Sequence, residues 1–207
     1  MFYETQLGLT PDGLSHNPFP ALVAPRPIAW ITTVGHDGCV NVAPFSHFNI
    51  ASVDPPMVMF APSDKGPANA PKDTLRNLSE RPEFVVNVAT WDMREAVNAS
   101  SAPFDYGHSE LSHCGLTPVP SALVAPPRIA GAPAALECRV YESIRLPQGR
   151  RGRGATVVIG EVVGIYIDDR TIVDGRVDAV RLAQIARLGY LDYCVVTGTF
   201  EMQKPRA

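Results

Sequence analysis

Twenty prolines and sixteen glycines are scattered through the 207 residues of this chain, and they fall between short apolar runs. Proline fixes φ and removes an N–H donor, and glycine tolerates turn conformations, so regular elements cannot run far through such punctuation. A mostly β fold with many turns is the expectation. Strand candidates occupy residues 28–34 and 39–43, joined as a hairpin through Gly35-His36-Asp37-Gly38, then residues 57–61 and 83–89. In the last of these Phe84, Val86 and Val88 share one face. Residues 134–146, 156–168 and 194–200 read as strands as well.

Helices interrupt this pattern. One is predicted over residues 73–80, where Leu75 and Leu78 lie one turn apart and Asp73 or Thr74 can cap the start. A second begins near Asp92, with Asp92 and Glu95 at capping-box spacing and Met93, Ala96 and Val97 as its apolar stripe. A third, short one is predicted over residues 179–188. Residues 101–131, rich in Pro, Ser, Gly and Ala, read as a long excursion without periodicity. The tip Gln148-Gly149-Arg150-Arg151-Gly152-Arg153-Gly154 reads as a solvated hairpin loop whose arginines could also hold a phosphate. One domain over residues 1–207 accounts for the whole chain.

Composition excludes several functions. A formal charge of −3 gives no basic field for nucleic acid. Cys39, Cys114, Cys138 and Cys194 show neither C-x-x-C nor zinc-finger spacing, so free thiols are expected. The N-terminus carries no secretory pattern and no apolar run approaches membrane-spanning length, which leads to the expectation of a soluble, cytoplasmic protein. Rossmann, P-loop and nucleophile-elbow motifs are absent. His108 and His113 are five apart in a loop, a weak metal signal. A chain with no triad, metal cluster or acid/base pair needs a cofactor if it is to catalyse anything demanding.

Three segments suit such a cofactor: Pro25-Arg26-Pro27-Ile28-Ala29-Trp30-Ile31-Thr32-Thr33, then residues 41–52 closed by Asp54-Pro55-Pro56, and Pro71-Lys72-Asp73-Thr74-Leu75-Arg76-Asn77-Leu78. In the second, Ser46, Asn49 and Ser52 recur among apolar neighbours, too polar for a plain core strand. In the third, a lysine, a threonine hydroxyl and a helix start together make a phosphate site. Taken singly, each is also consistent with a turn, an irregular strand or an ordinary helix start.

Together these segments resemble the flavin reductase-like, FMN-binding split-barrel family. Phe84-Val85-Val86-Asn87, Asn98-Ala99-Ser100-Ser101-Ala102-Pro103, Gly115-Leu116-Thr117-Pro118, Ala135-Leu136-Glu137-Cys138 and Ile159-Gly160-Glu161-Val162-Val163 extend the likeness in order along nearly the whole chain. The resemblance implies a six-stranded antiparallel split β-barrel with short flanking helices, usually a homodimer with FMN near the interface. It places Thr32 and Thr33 beside the flavin, Ser46, Phe48 and Asn49 at the ring and ribityl, and Lys72 and Thr74 at the phosphate. Arg26 is a further candidate at the phosphate and Asn77 a further cofactor-binding candidate, and Ser101 and Ala102 belong to a stretch that the partner subunit could supply.

Under that resemblance the expected activity is NAD(P)H:flavin reduction, hydride passing from nicotinamide C4 to flavin N5, with NADH or NADPH as donor. The protein's share is orientation and stabilisation of charge at the N1/O2 edge. His47, the titratable group inside the central motif, is the catalytic candidate, weighed against a packing role. Reduced flavin or electrons would pass to a monooxygenase or another redox protein. An FMN electron carrier of flavoredoxin type without nicotinamide activity, an FMN-dependent oxidative enzyme on the same scaffold, and a β-rich structural domain without flavin are the alternatives.

Overall fold

In the computed structural model the described residues are 1–64, 71–107, 109–149 and 152–205. Seven strands form one antiparallel sheet: β1 (Ala29–Val34), β2 (Val40–Phe45), β3 (Phe48–Val53), β4 (Pro56–Phe60), β5 (Glu83–Val88), β6 (Ala134–Arg145) and β7 (Thr156–Ile167). Their spatial order is β2-β1-β5-β6-β7-β4-β3. The two outermost strands, β2 and β3, are consecutive in the chain, with only Ser46 and His47 between them. Three Cα–Cα steps reach at most about 11 Å. The sheet must therefore curl until its two edges nearly meet at that corner, although they do not pair. This is a split barrel. It counts seven strands where six were expected, the seventh sheet member being consistent with the polar 41–52 segment forming two strands rather than one.

Alternation along the strands sorts side chains to two faces. Ala29, Ile31, Phe45, Val58, Phe60, Phe84, Val86 and Val158 fill the barrel interior. There the Phe45, Phe60 and Phe84 rings stack in series with centroids 5.3 Å apart at each step. The opposite face of β1 carries Trp30 against Val97, Ile129 and Ile185 in a second cluster. The strand predicted over 83–89 thus buries both faces, Val85 included.

Helix α1 (Asp73–Glu80) has the predicted span and plugs the barrel with Leu75 and Leu78. Its N-cap is Lys72, without a side-chain cap, rather than Asp73 or Thr74. The Thr74 hydroxyl is engaged elsewhere, as shown below. Helix α2 (Arg94–Ala99) begins after a turn in which the Met93 N–H meets Thr90 O, so the Asp92–Glu95 box does not form. The third predicted helix is one turn, Ala179–Leu182, capped by Asp178 and ended by Ala183 at φ 46°. The chain then continues into the short strand Ile185–Arg187, which pairs with Arg26–Pro27 and Tyr193–Val195. No helix among the described residues is long and apolar enough to cross a membrane.

Buried polar side chains pin the 101–131 excursion to the barrel. Glu137 accepts from the N–H groups of Ala122 and Leu123 at 2.8 and 2.6 Å, and Asn87 accepts from that of Ile129 at 2.7 Å while donating to Trp30 O. The four cysteines are free thiols. Arg150 and Arg151 of the hairpin tip, and His108, lie outside the described residues. His113 packs edge-on against Phe104 at 4.9 Å.

Candidate functional site

The edge of β2 is the starting point. Residues 40, 42 and 44 turn their backbone groups away from β1, and an open edge must be covered or left to a ligand. Ser109 donates to Val40 O at 2.6 Å, and the buried Glu110 carboxylate accepts from the Val42 N–H at 2.8 Å. Beyond them Pro44 has no N–H to satisfy. Here the edge opens into a cleft of about 320 Å³ whose walls include Ala43, Pro44, Lys72, Thr74, Ser101 and Phe104.

Lys72 and Thr74 stand at the uncapped start of α1, where backbone N–H donors and the positive end of the helix dipole favour an anion. The Lys72 ammonium lies 5.8 Å from the centre of the Phe45 ring. Asn41 Nδ2 donates to Thr74 Oγ1 at 3.1 Å. A hydroxyl that accepts in this way keeps its own proton for another acceptor. Asp73 and Glu110 also border the cleft, and one Glu110 oxygen is held by Val42. Cation, hydroxyl and helix terminus at one end, with proline and phenylalanine nearby, are the donor set that a phosphorylated ring compound requires.

The other expected site residues separate into three groups. Ser101 and Ala102 line this cleft together with Lys72 of the same chain, and the Ser101 hydroxyl donates to Asn98 O at 2.6 Å. Thr32 and Thr33 are wholly buried and present no surface to a ligand. Thr32 Oγ1 donates to Pro127 O at 2.5 Å, and Thr33 Oγ1 accepts from Asn77 Nδ2 at 3.0 Å. Asn77 in turn accepts from the Tyr106 hydroxyl at 3.2 Å. Asn77 and Thr33 therefore fasten α1 to β1, and act on the cleft through its geometry.

Arg26, His47, Phe48 and Asn49 line a second cavity, of about 510 Å³, on the far side of the Phe45–Ser46 corner. Ser46 is half-buried in the connection between the two. Burial first, and the Arg26 charge second, push the His47 pKa down, so the imidazole is neutral at pH 7. Sequence reasoning gave no role to Glu110, Phe104 or Tyr106. Their signal was weak: Glu110 and Tyr106 lie 68 and 29 positions from their hydrogen-bond partners, too far for any local period to show. No group of His, Cys, Asp and Glu suited to a metal occurs among the described residues.

Comparison with known proteins agrees with this architecture. The sequence pattern of the flavin reductase like domain matches residues 23–186, and the chain belongs to that family. An uncharacterized protein of Halalkalibacterium halodurans is 39% identical over 203 residues, covering 95% of this chain and 96% of that one. The crystal structure of nitrilotriacetate monooxygenase component B from Bacillus cereus superposes with a TM-score of 0.84 at 29% identity, covering 98% of each chain. That of 2-nitrobenzoate 2-nitroreductase from Pseudomonas fluorescens gives 0.77 at 32%, covering 90% of this chain and 88% of that one. The fold is the flavin reductase-like, FMN-binding split barrel, and the family is one of oxidoreductases.

Proposed function

We propose that this protein binds FMN with its phosphate at Lys72 and Thr74 and reduces flavin with NADH or NADPH. The observation that carries the reading is the uncapped start of α1, where a lysine and an Asn41-oriented threonine hydroxyl face one cleft beside the open edge of β2. Charge-assisted hydrogen bonds from Lys72 and Thr74 hold the phosphate. From there the chain offers Ser46 at the corner, then Phe48 as an apolar face and Asn49 as a polar edge for the ring and ribityl. FMN held there would supply a two-electron acceptor for the hydride of a nicotinamide. The protein's contribution is to orient both partners and to keep the charge at the ring's polar edge near N–H donors. His47, neutral at pH 7, can donate a hydrogen bond at this rim without placing a second positive charge beside Arg26.

Oxidation of NADH or NADPH that depends on added FMN is the expected result with purified protein. No oxidation with either donor would refute the reductase reading while leaving FMN binding intact. Chemistry of FMN on an organic substrate is the second reading, favoured by the 32% identical relative named for 2-nitrobenzoate reduction. Ile50 and Val53, 65% and 81% exposed on the edge strand β3, support a homodimer that covers them. Light scattering giving twice the chain mass is expected. Transfer of reduced flavin to a separate monooxygenase fits the same reading, and a pull-down with such a partner tests it.

A further inference from the structure

The second cavity has a character of its own. Phe19 and Val23 close one side of it, and Phe48, Met59 and Val157 form the barrel wall opposite. Its size lies within the range of small-molecule sites, and its lining is mostly apolar, as in such sites. The polar groups along it are Asn17, His47, Asn49 and Arg26, and among the described residues no acidic side chain lines it.

Arg26 is placed unusually. In the small sheet it is directly opposite Arg187, and like charges in that position repel. Arg187 turns away, its guanidinium over the Tyr193 ring and bonded to the Tyr193 hydroxyl. Arg26 Nη1 donates to the carbonyls of Pro20 and Val23, which fixes the guanidinium at the cavity wall. Its Nε is buried with no hydrogen-bond partner among the described residues. Leaving that donor unpaired is costly, and the half-buried guanidinium as a whole remains open to a ligand from the cavity.

We propose that this cavity is a second ligand site that takes an aryl carboxylate, the ring against Phe48, Met59 and Val157 and the carboxylate on Arg26. An apolar body matches the walls, and one planar anionic head matches a guanidinium with no acidic partner. The proposal deepens the flavin reading, in which Phe48 and Asn49 serve the flavin ring: both line this cavity, so the aryl group would lie beside that ring. The cavity is nevertheless made of protein atoms alone, so its occupancy can be measured on flavin-free protein.

The test is titration of the flavin-free 207-residue chain with 2-naphthoate and its neutral analogue 2-naphthamide, followed by calorimetry. Saturable binding of naphthoate, with naphthamide weaker by about tenfold or more, is expected, because a hydrogen bond to a charged group is at stake. Arg26→Gln should remove that preference and Arg26→Lys should retain part of it. Arg26 also holds the Pro20 and Val23 carbonyls, so Val157→Phe and Met59→Trp provide a second route. By filling the apolar end they should weaken naphthoate and naphthamide alike while FMN affinity stays unchanged. Equal binding of acid and amide, no saturable binding, or retention of the preference in Arg26→Gln would each overturn the proposal. So would strict competition between naphthoate and FMN, which would make the cavity part of the flavin's own site. Naphthoate binding as expected, with no FMN binding by the wild-type protein, would instead count against the flavin reading alone.

Discussion

Asn41 Nδ2 donates to Thr74 Oγ1 at 3.1 Å, a buried bond that ties the edge strand β2 to the first turn of α1. Because the threonine oxygen accepts, its proton remains available to whatever occupies the adjoining cleft. Thr74→Ala removes that donor and leaves the Asn41 amide unsatisfied. We expect FMN affinity to fall by about tenfold and stability by about 1–3 kcal/mol. Thr74→Ser keeps both bonds and should stay close to wild type. Flavin titration and denaturant unfolding read the two effects; equal loss in both variants would show that only the methyl matters.

Gly160 in β7 sits under the Phe84 ring. A Cβ at that position would lie 2.4 Å from Phe84 Cζ and 2.6 Å from Cε1, and Phe84 is wholly buried. Gly160→Ala should therefore destabilise the barrel by about 1–3 kcal/mol through overpacking. Combining it with Phe84→Leu should recover part of that loss. Additive losses in the double-mutant cycle would contradict the contact.

Asp64 accepts from both terminal nitrogens of Arg145, at 2.6 and 2.5 Å, and from the Gly154 N–H at 2.8 Å. The Arg145 bonds hold its carboxyl below the usual range, against an opposing effect of burial, and Gly154 adds to them. A depressed folded-state pKa contributes stability that is fully present above the unfolded value of about 3.9. That contribution disappears as the pH falls through the folded value. Asp64→Asn should lower the thermal midpoint at pH 7, and its difference from wild type should narrow only below about pH 4. A difference that is constant down to strongly acidic pH would show that the charge on Asp64 is irrelevant.

Cys138 is fully buried on β6, and that burial, together with the Glu137 charge, pushes its thiol pKa well up. Thiolate is the reactive form, so Cys138 should resist alkylation at pH 8 in the native protein and label only on unfolding. Cys39, Cys114 and Cys194 are half-buried and should label first. Mass-spectrometric mapping of the modified peptides distinguishes them. Native labelling of Cys138 at the rate of the others would mean that β6 opens readily.

Much of this barrel was legible in the residues, for reasons that differ by element. Strands such as Ala29–Val34 and Glu83–Val88 carry branched and aromatic runs bounded by turn residues, a local signal that survives in the fold. The span of α1 followed from Leu75 and Leu78, yet its cap did not, because a long-range partner, Asn41, engages Thr74. Residues 179–188 read as helix by period, but Ile185 is drawn into pairing with Val195, where tertiary contacts override propensity. That Lys72 and Thr74 would come together was legible, because both sit at a helix start, and the structure places both on one cleft. It was not legible at Thr32 and Thr33, since whether a strand threonine faces a ligand or Pro127 depends on loops far along the chain. Nor could local pattern show that Arg26 and Lys72 line different cavities.

The proposed flavin site depends on the start of α1 gripping a phosphate. Comparing FMN with riboflavin, which lacks that phosphate, in wild type and Lys72→Gln addresses it most directly. Wild type should prefer FMN by about tenfold or more, and the variant should lose most of that preference while its riboflavin affinity changes little. Equal affinity of wild type for the two flavins, or an undiminished preference in Lys72→Gln, would contradict it.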